Sequence, residues 1–296
     1  MTDLLDAVRR HADAEADAQG IARTPIPGLT TVRATAPSDL LFAISRPLVA
    51  VVVQGRKQVT MGAQVLDFAA GESLLITADV PTVSQITRAT LAAPYYAVAL
   101  ELDVAVIAEL AGQMQASTAP QAAPVRVLST DAEVAGALLR LLRLLDRPDA
   151  LSVLQAAMLR ELHYWLLAGR HGAAIRQLGW PGGHAERIGR AAARMRAEFA
   201  RPWTVEALAQ AAGMSASAFH RHFRATTSLS PLQFLKNLRL IEARRLMLAD
   251  GASASTAAYA VGYESVPQFT REYARLFGQP PVRDVTAARL KARAAA

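Results

Sequence analysis

The sequence predicts a two-domain α+β protein: an antiparallel β-domain, barrel or sandwich, covered by helices, and then an all-α domain. Three observations carry this. The chain has 296 residues, about two domains at roughly 150 residues each. Short β-branched runs separated by turn residues crowd the stretch from about 30 to 102. Beyond 184 no alternating pattern occurs, and one helical unit is written twice. Hydrophobic residues at 52% and charged ones at 19% are ordinary globular usage, which excludes a disordered or fibrous chain. With no cysteine, disulfides, thiolate nucleophiles and Cys-ligated zinc or iron–sulfur centres are excluded as well. Met1-Thr2-Asp3 lacks the basic start and apolar run of a leader. Arg46, Arg88, Glu101 and Glu109 break the apolar stretches before the roughly 18 residues a membrane helix needs, so a cytoplasmic protein off the membrane is expected.

Residues 1–19 read as a polar helix on Leu4, Leu5 and Val8, stopped by Gly20 ahead of Pro25, Pro27 and Gly28. Strands are expected at Leu48–Gln54, Lys57–Met61, Val65–Phe68, Ser73–Thr77, Thr82–Thr87 and Tyr95–Leu102. Gly55-Arg56, Gly62-Ala63 and Ala70-Gly71 fall between them as hairpin connections. After Asp103 the pattern turns helical, with an interruption at Thr118 to Pro124. Val134, Leu138, Leu141, Leu142 and Leu145 recur at helical spacing, and Leu151 to Leu167 makes another apolar helix. This pair either covers the β-domain or offers a leucine stripe as a dimer interface, and spacing alone leaves both open. Gly179-Trp180-Pro181-Gly182-Gly183 is the most breaker-rich stretch of the chain. The predicted division is therefore 1–178, a linker at 179–183, and 184–296.

Charge follows the same division. The net charge is +7, yet residues 184–296 carry 17 Lys and Arg against 8 Asp and Glu, a net of +9, while 1–183 carry −2. A confined positive field attracts polyanions through counterion release, where the alternative is a solvated basic face.

The repeat decides between them. Its first copy runs from Thr204 through Gly213-Met214-Ser215 to Phe219, Arg221 and Phe223. The second runs from Ser253 through Gly262-Tyr263-Glu264-Ser265 to Phe269, Arg271 and Tyr273. Each is a short helix, a turn with a glycine, and a second helix opened by a capping serine: a helix-turn-helix written twice. In the first copy Phe219 and Phe223 face inward, and Ser217, His220, Arg221 and Arg224 share the opposite side. In the second, Phe269, Tyr273 and Leu276 are apolar, which leaves Gln268, Thr270, Arg271 and Arg275. Arginine can pair bidentately with guanine and glutamine with adenine in the major groove of double-stranded DNA. Between the copies, Ser230-Pro231 opens a helix to about Leu248, whose roughly 18 residues span on the order of 27 Å. Such a rod can set two reading helices into successive major grooves, with its own basic residues available to phosphates.

From about Ile188 to Asp284 the chain resembles the AraC/XylS family of bacterial transcription regulators. Ala207-Leu208-Ala209, Gly213-Met214-Ser215, Arg244-Arg245-Leu246, Ala260-Val261-Gly262-Tyr263-Glu264-Ser265 and Phe277-Gly278-Gln279-Pro280-Pro281 carry the likeness. The resemblance implies base reading by Ser217, His220 and Arg221 in the first unit and by Gln268, Thr270 and Arg271 in the second. Pro267 departs from the pattern, standing where other members often have a polar reader. The N-terminal part resembles the AraC-type regulator N-terminal domain, of cupin-like fold, at Thr24 to Leu29, Val53 to Thr60 and Asp79 to Gln85. That implies a sensory or dimerisation domain for an unidentified small-molecule effector, with promoter DNA as partner and RNA polymerase as a further one in an activator. A small ligand would contact the apolar inner faces of the strands, where little charge is expected.

Catalysis finds no support in the residues. The histidines stand at 11, 163, 171, 184, 220 and 222, so none between 12 and 162 can supply a metal cupin's imidazoles. Lys57, Lys236 and Lys291 all lack the preceding glycine of a phosphate loop. Glu161 and His163 point to different faces of a helix and form no ligand pair, and His222 reads as structural. No metal, cofactor or catalytic residue is expected.

Overall fold

The computed structural model describes residues 1–62, 64–114, 125–178 and 183–295, with side chains as far as residue 290. They divide into two compact units, Met1–Glu186 and Arg187–Ala296. The interruption at Thr118 to Pro124, Ala63 of the second turn and Gly179 to Gly182 of the linker lie outside the described residues.

The first unit opens with helix α1, Thr2–Glu15, which buries Leu4, Ala7, Val8 and Ala12. It ends short of the predicted Gly20. The Asp17 carboxylate accepts from the amides of Gln19 and Ile21, and this local bond competes with a further helical turn. The strands follow as β1 (Ile21–Arg23), β2 (Leu29–Ala34), β3 (Leu41–Ser45), β4 (Leu48–Gln54), β5 (Arg56–Met61), β6 (Gln64–Ala69), β7 (Glu72–Ile76), β8 (Val80–Arg88) and β9 (Tyr95–Glu101). After α2, Val104–Gln113, a tenth strand, β10 (Val125–Ser129), precedes α3 (Ala132–Leu144), α4 (Pro148–Ala168) and α5 (Gly172–Leu178). The expectation of helix alone after Asp103 is corrected by β10, a short Val-Arg-Val-Leu-Ser run whose alternation shows only once it pairs with β7.

The strands make two antiparallel sheets, ordered β1-β2-β9-β4-β7-β10 and β3-β8-β5-β6, with no closed barrel ladder among the described residues. This revises two of the three expected hairpins. Gly62 turns a true hairpin between β5 and β6, but Gly55 and Gly71 lie where the chain leaves one sheet for the other. At Gly55, φ is +87° and a Cβ would fall 2.6 Å from the Arg88 carbonyl oxygen. A sheet corner and a tight hairpin ask for the same glycine, which is why spacing could not separate them.

Two apolar layers result. Between the six-stranded sheet and the helices lie Val49, Val51, Val53, Leu75, Val98 and Leu100 against Leu138, Leu141 and Leu166. Between the sheets lie Val52, Leu74, Ile76, Tyr95 and Ala97 against Val59, Met61 and Phe68. The leucine stripe of α3 is thus core, and the helix pair is a cover. On α4 only the C-terminal half is buried, and Val153, Leu154 and Tyr164 stay exposed.

Two buried histidines seal this unit. His163 accepts the Asp103 amide at Nε2, 3.0 Å, and donates from Nδ1 to the Leu159 carbonyl, 2.7 Å, so both nitrogens are used by a neutral ring. Burial lowers its pKa, and Glu161 is engaged elsewhere, with Arg140 and Trp165. His171 Nε2 meets the Ser73 hydroxyl at 2.8 Å, while its Nδ1 is buried without a partner. Burial, aided by the charge of Arg126 and opposed by Asp131, pulls this imidazole down to about 4. Below its ordinary pKa near 6.5 the unfolded chain takes up a proton that the folded chain refuses, so stability falls with pH. A loss of about 2 kcal/mol between pH 7 and pH 5 is expected from such a shift. Melting curves across that range test it, and His171→Gln should flatten the slope.

In the second unit the elements are α6 (His184–Ala197), α7 (Val205–Ala211), α8 (Ala216–Thr227), α9 (Pro231–Ala249), α10 (Ala254–Ala260), α11 (Val266–Phe277) and α12 (Pro281–Ala295). Among the described residues of the whole chain, no helix is long and apolar enough to cross a membrane.

Candidate nucleic-acid interface

The duplicated unit is duplicated in its caps. Thr204 accepts the Ala207 amide ahead of α7, and Ser215 the Ala218 amide ahead of α8. Ser253 and Ser265 do the same for α10 and α11. These oxygens satisfy amides that a helix start otherwise leaves unpaired. Gly213 and Gly262 take the turns at φ +62° and +86°.

Each second helix is anchored through aromatics. Phe219 and Phe223 are fully buried, with Phe223 edge-on to Phe234 of α9 at 5.4 Å. In the second unit Phe269 sits between Tyr263 and Tyr273, at 5.3 and 5.5 Å. Helix α9 belongs to both cores: Phe234, Leu235 and Leu238 are buried in its first half, while Leu240, Ala243 and Met247 join the second unit's cluster.

With the aromatics inward, Ser217, His220, Arg221 and Arg224 are all exposed on α8, as the spacing predicted. On α11 Gln268 and Arg271 are exposed, with Arg275 beside them. Thr270 stands apart from this face. It is half-buried and lies about 160° around the helix from Gln268 at 3.6 residues per turn. Gln268 Nε2 donates to Glu272 at 3.3 Å, which ties its side-chain amide to that carboxylate. Glu272 also takes Lys236 Nζ at 2.9 Å and the Tyr263 hydroxyl at 2.8 Å. Burial opposes its ionisation, but these donors win and hold its pKa below the usual carboxylate range.

The connecting helix departs from expectation. Its basic residues are committed within the protein: Lys236 to Glu272, Arg244 to Asp284 at 2.7 Å, and Arg245 to Glu242 at 2.8 Å. Arg239 donates to four main-chain carbonyls, those of Phe199, Ala200, Arg201 and Gly262. Sequence reasoning missed this node. The only signal for it is a charge set between two buried leucines, Leu238 and Leu240, on a helix. Arg187 was missed too; it reaches the Gly213 carbonyl in the first turn at 3.3 Å. On the inner face of β5, where little charge was expected, stands Lys57. Among the described residues no cluster of His, Asp and Glu is placed to hold a metal ion.

Known proteins match this arrangement. The profile of the AraC-type transcriptional regulator N-terminus matches residues 25–174, half of the chain, and that of a helix-turn-helix domain matches 208–284. The chain belongs to the AraC family of transcription regulators. Among curated AraC-type relatives, the transcriptional regulator AlkR of Acinetobacter baylyi is 36% identical over 81 residues, 27% of this chain and 26% of AlkR. The virulence regulon activator VirF of Yersinia enterocolitica is 26% identical over 162 residues, 53% of this chain and 58% of VirF. The chain thus spans about a quarter of the length of the first relatives it matches. Apo ToxT of Vibrio cholerae shares the fold with a TM-score of 0.59 at 10% identity, covering 89% of this chain and 99% of ToxT. ToxT with a bound unsaturated fatty acid aligns at a TM-score of 0.57 and 9% identity.

Proposed function

We propose that this AraC-family chain binds promoter DNA sequence-specifically through α8 and α11, and that its N-terminal β-domain takes a small-molecule effector. The observation that carries the reading is the pair of duplicated helices, each buried on its aromatic side, that present Ser217, His220, Arg221 and Arg224, and Gln268 and Arg271, to solvent. The net +9 of residues 184–296 supports it, since a field of that sign recruits DNA whatever its sequence. In this reading residues 1–178 sense or dimerise, 179–183 link, and 184–296 bind DNA in the cytoplasm. RNA polymerase is the second partner if the protein activates. ToxT, similar in fold, has been solved with a fatty acid bound, which is in keeping with an effector here. A second reading, in which the β-domain only dimerises, draws on the exposed Val153, Leu154 and Tyr164 of α4. It predicts a dimer and no response to any ligand.

Selection of genomic fragments by the purified protein at fixed salt, beside the Arg221→Ala/Arg271→Ala variant, tests DNA reading. A few upstream regions should be enriched and then lost in the variant, each arginine costing about 1–3 kcal/mol at one base position. Equal, salt-sensitive recovery of all fragments by both proteins would leave a nonspecific DNA binder.

A further inference from the structure

Lys57 is a cation on an apolar wall. In the four-stranded sheet it lies opposite Phe68 of β6 and Ile86 of β8, and directly opposed residues share a face. Val59 and Met61, further along β5 on that face, are buried in the layer between the sheets together with Phe68 and Ile86. Among the described residues no carboxylate pairs with Nζ and no oxygen accepts from it. The surrounding protein desolvates the ammonium and draws its pKa below the ordinary lysine value, yet the residue keeps part of its surface accessible. The side chain is thus desolvated without being sealed from the surface. Two more polar groups of this layer lack partners among the described residues. Ser84, opposite Val59 and so one row from Lys57, leaves its hydroxyl unpaired. Tyr95, on the facing sheet, does the same, and its ring borders Gly55, two residues before Lys57.

An ammonium held this way costs stability and gains nothing from the protein around it. It offers three donors and no acceptor, so its complement is an anion with oxygen acceptors, while the walls ask for an apolar body. We propose that the space between the two sheets is an effector site for a small amphiphilic carboxylate, its head held by Lys57 with Ser84 and Tyr95, its body along Phe68 and Ile86. The proposal rests on the reading of the N-terminal domain as an effector domain and names the class of effector.

The test uses the full chain and calorimetric titration with straight-chain carboxylates of 8 to 18 carbons, their matched alcohols, and 4-phenylbutyrate and 1-naphthylacetate. The last two separate aromatic acids from lipid-derived ones. At least one carboxylate should bind tenfold or more better than its neutral counterpart. Lys57→Met should erase that preference while melting at or above the wild-type temperature, because it removes a desolvated charge. Lys57→Arg, which keeps the charge, should retain most of the preference. Binding by Lys57→Met equal to wild type, no binding by any carboxylate, or a melting point several degrees lower in Lys57→Met would overturn the proposal. Fragment selection on DNA needs no ligand, so failure of this site leaves the DNA-binding result standing, and failure of DNA binding leaves the titration readable.

Discussion

Replacing Arg239 with methionine is expected to destabilise the C-terminal unit by about 3–4 kcal/mol, because hydrogen bonds from a charged donor are worth about 1.5–3 kcal/mol each and the half-buried carbonyls of Phe199 and Gly262 would be left without a donor. The figure is smaller than four separate losses, since water can reach the two carbonyls that Nη2 serves, those of Ala200 and Arg201. Burial already draws the Arg239 pKa down, against the pull of Tyr263 and Glu272, so the guanidinium is held by its carbonyls and not by a paired carboxylate. Methionine keeps much of the stem's packing and isolates the lost donors. The check is urea denaturation of the full chain followed by fragment binding. An unchanged midpoint would mean that the carbonyls of residues 199–201 find other donors, and the node would lose its importance.

Gly262→Ala is expected to cost about 2–4 kcal/mol, and Gly213→Ala, the same position of the other repeat, only about 1 kcal/mol. Both glycines have positive φ, so both variants suffer the strain of a side chain in the left-handed region. Their surroundings differ. A Cβ on Gly213 meets nothing within 4 Å, whereas one on Gly262 would stand 2.4 Å from the carbonyl oxygen of Ala200, main chain that cannot swing aside and that Arg239 also holds. Melting temperatures of the two variants test this pair directly. Equal losses would show that backbone strain alone governs the turns, and that the Gly262 contact relaxes freely.

The repeats were legible from sequence because everything that makes them is local: a capping hydroxyl, a glycine turn and aromatics four apart. Strand β4 was read to both ends, since a run of four valines within seven residues, Leu48–Gln54, belongs to a strand buried on both faces. What failed was non-local. Strands β1, β2, β3 and β10 gain their identity only by pairing, and β1 is three residues long. Whether Gly55 turns a hairpin or a sheet corner depends on β8 and β9, some thirty to forty residues further on. The Glu272 cluster draws its donors from α9, α11 and the turn between α10 and α11, a convergence no window of sequence contains. Lys57 could have been found by alternation with Val59 and Met61, but its charge argued against an inward place.

Because α9 lends one half of its length to each core, the two exposed helices cannot slide apart without tearing Phe234 from one core or Met247 from the other. The domain is therefore a ruler with a fixed gauge. A DNA target read by both helices must keep its two contact segments in helical phase, and an insertion of about 5 bp between them, half a turn of the duplex, would turn the second segment to the far side. Under the proposed reading of DNA by both helices, a changed base should be tolerated far better than a changed spacing.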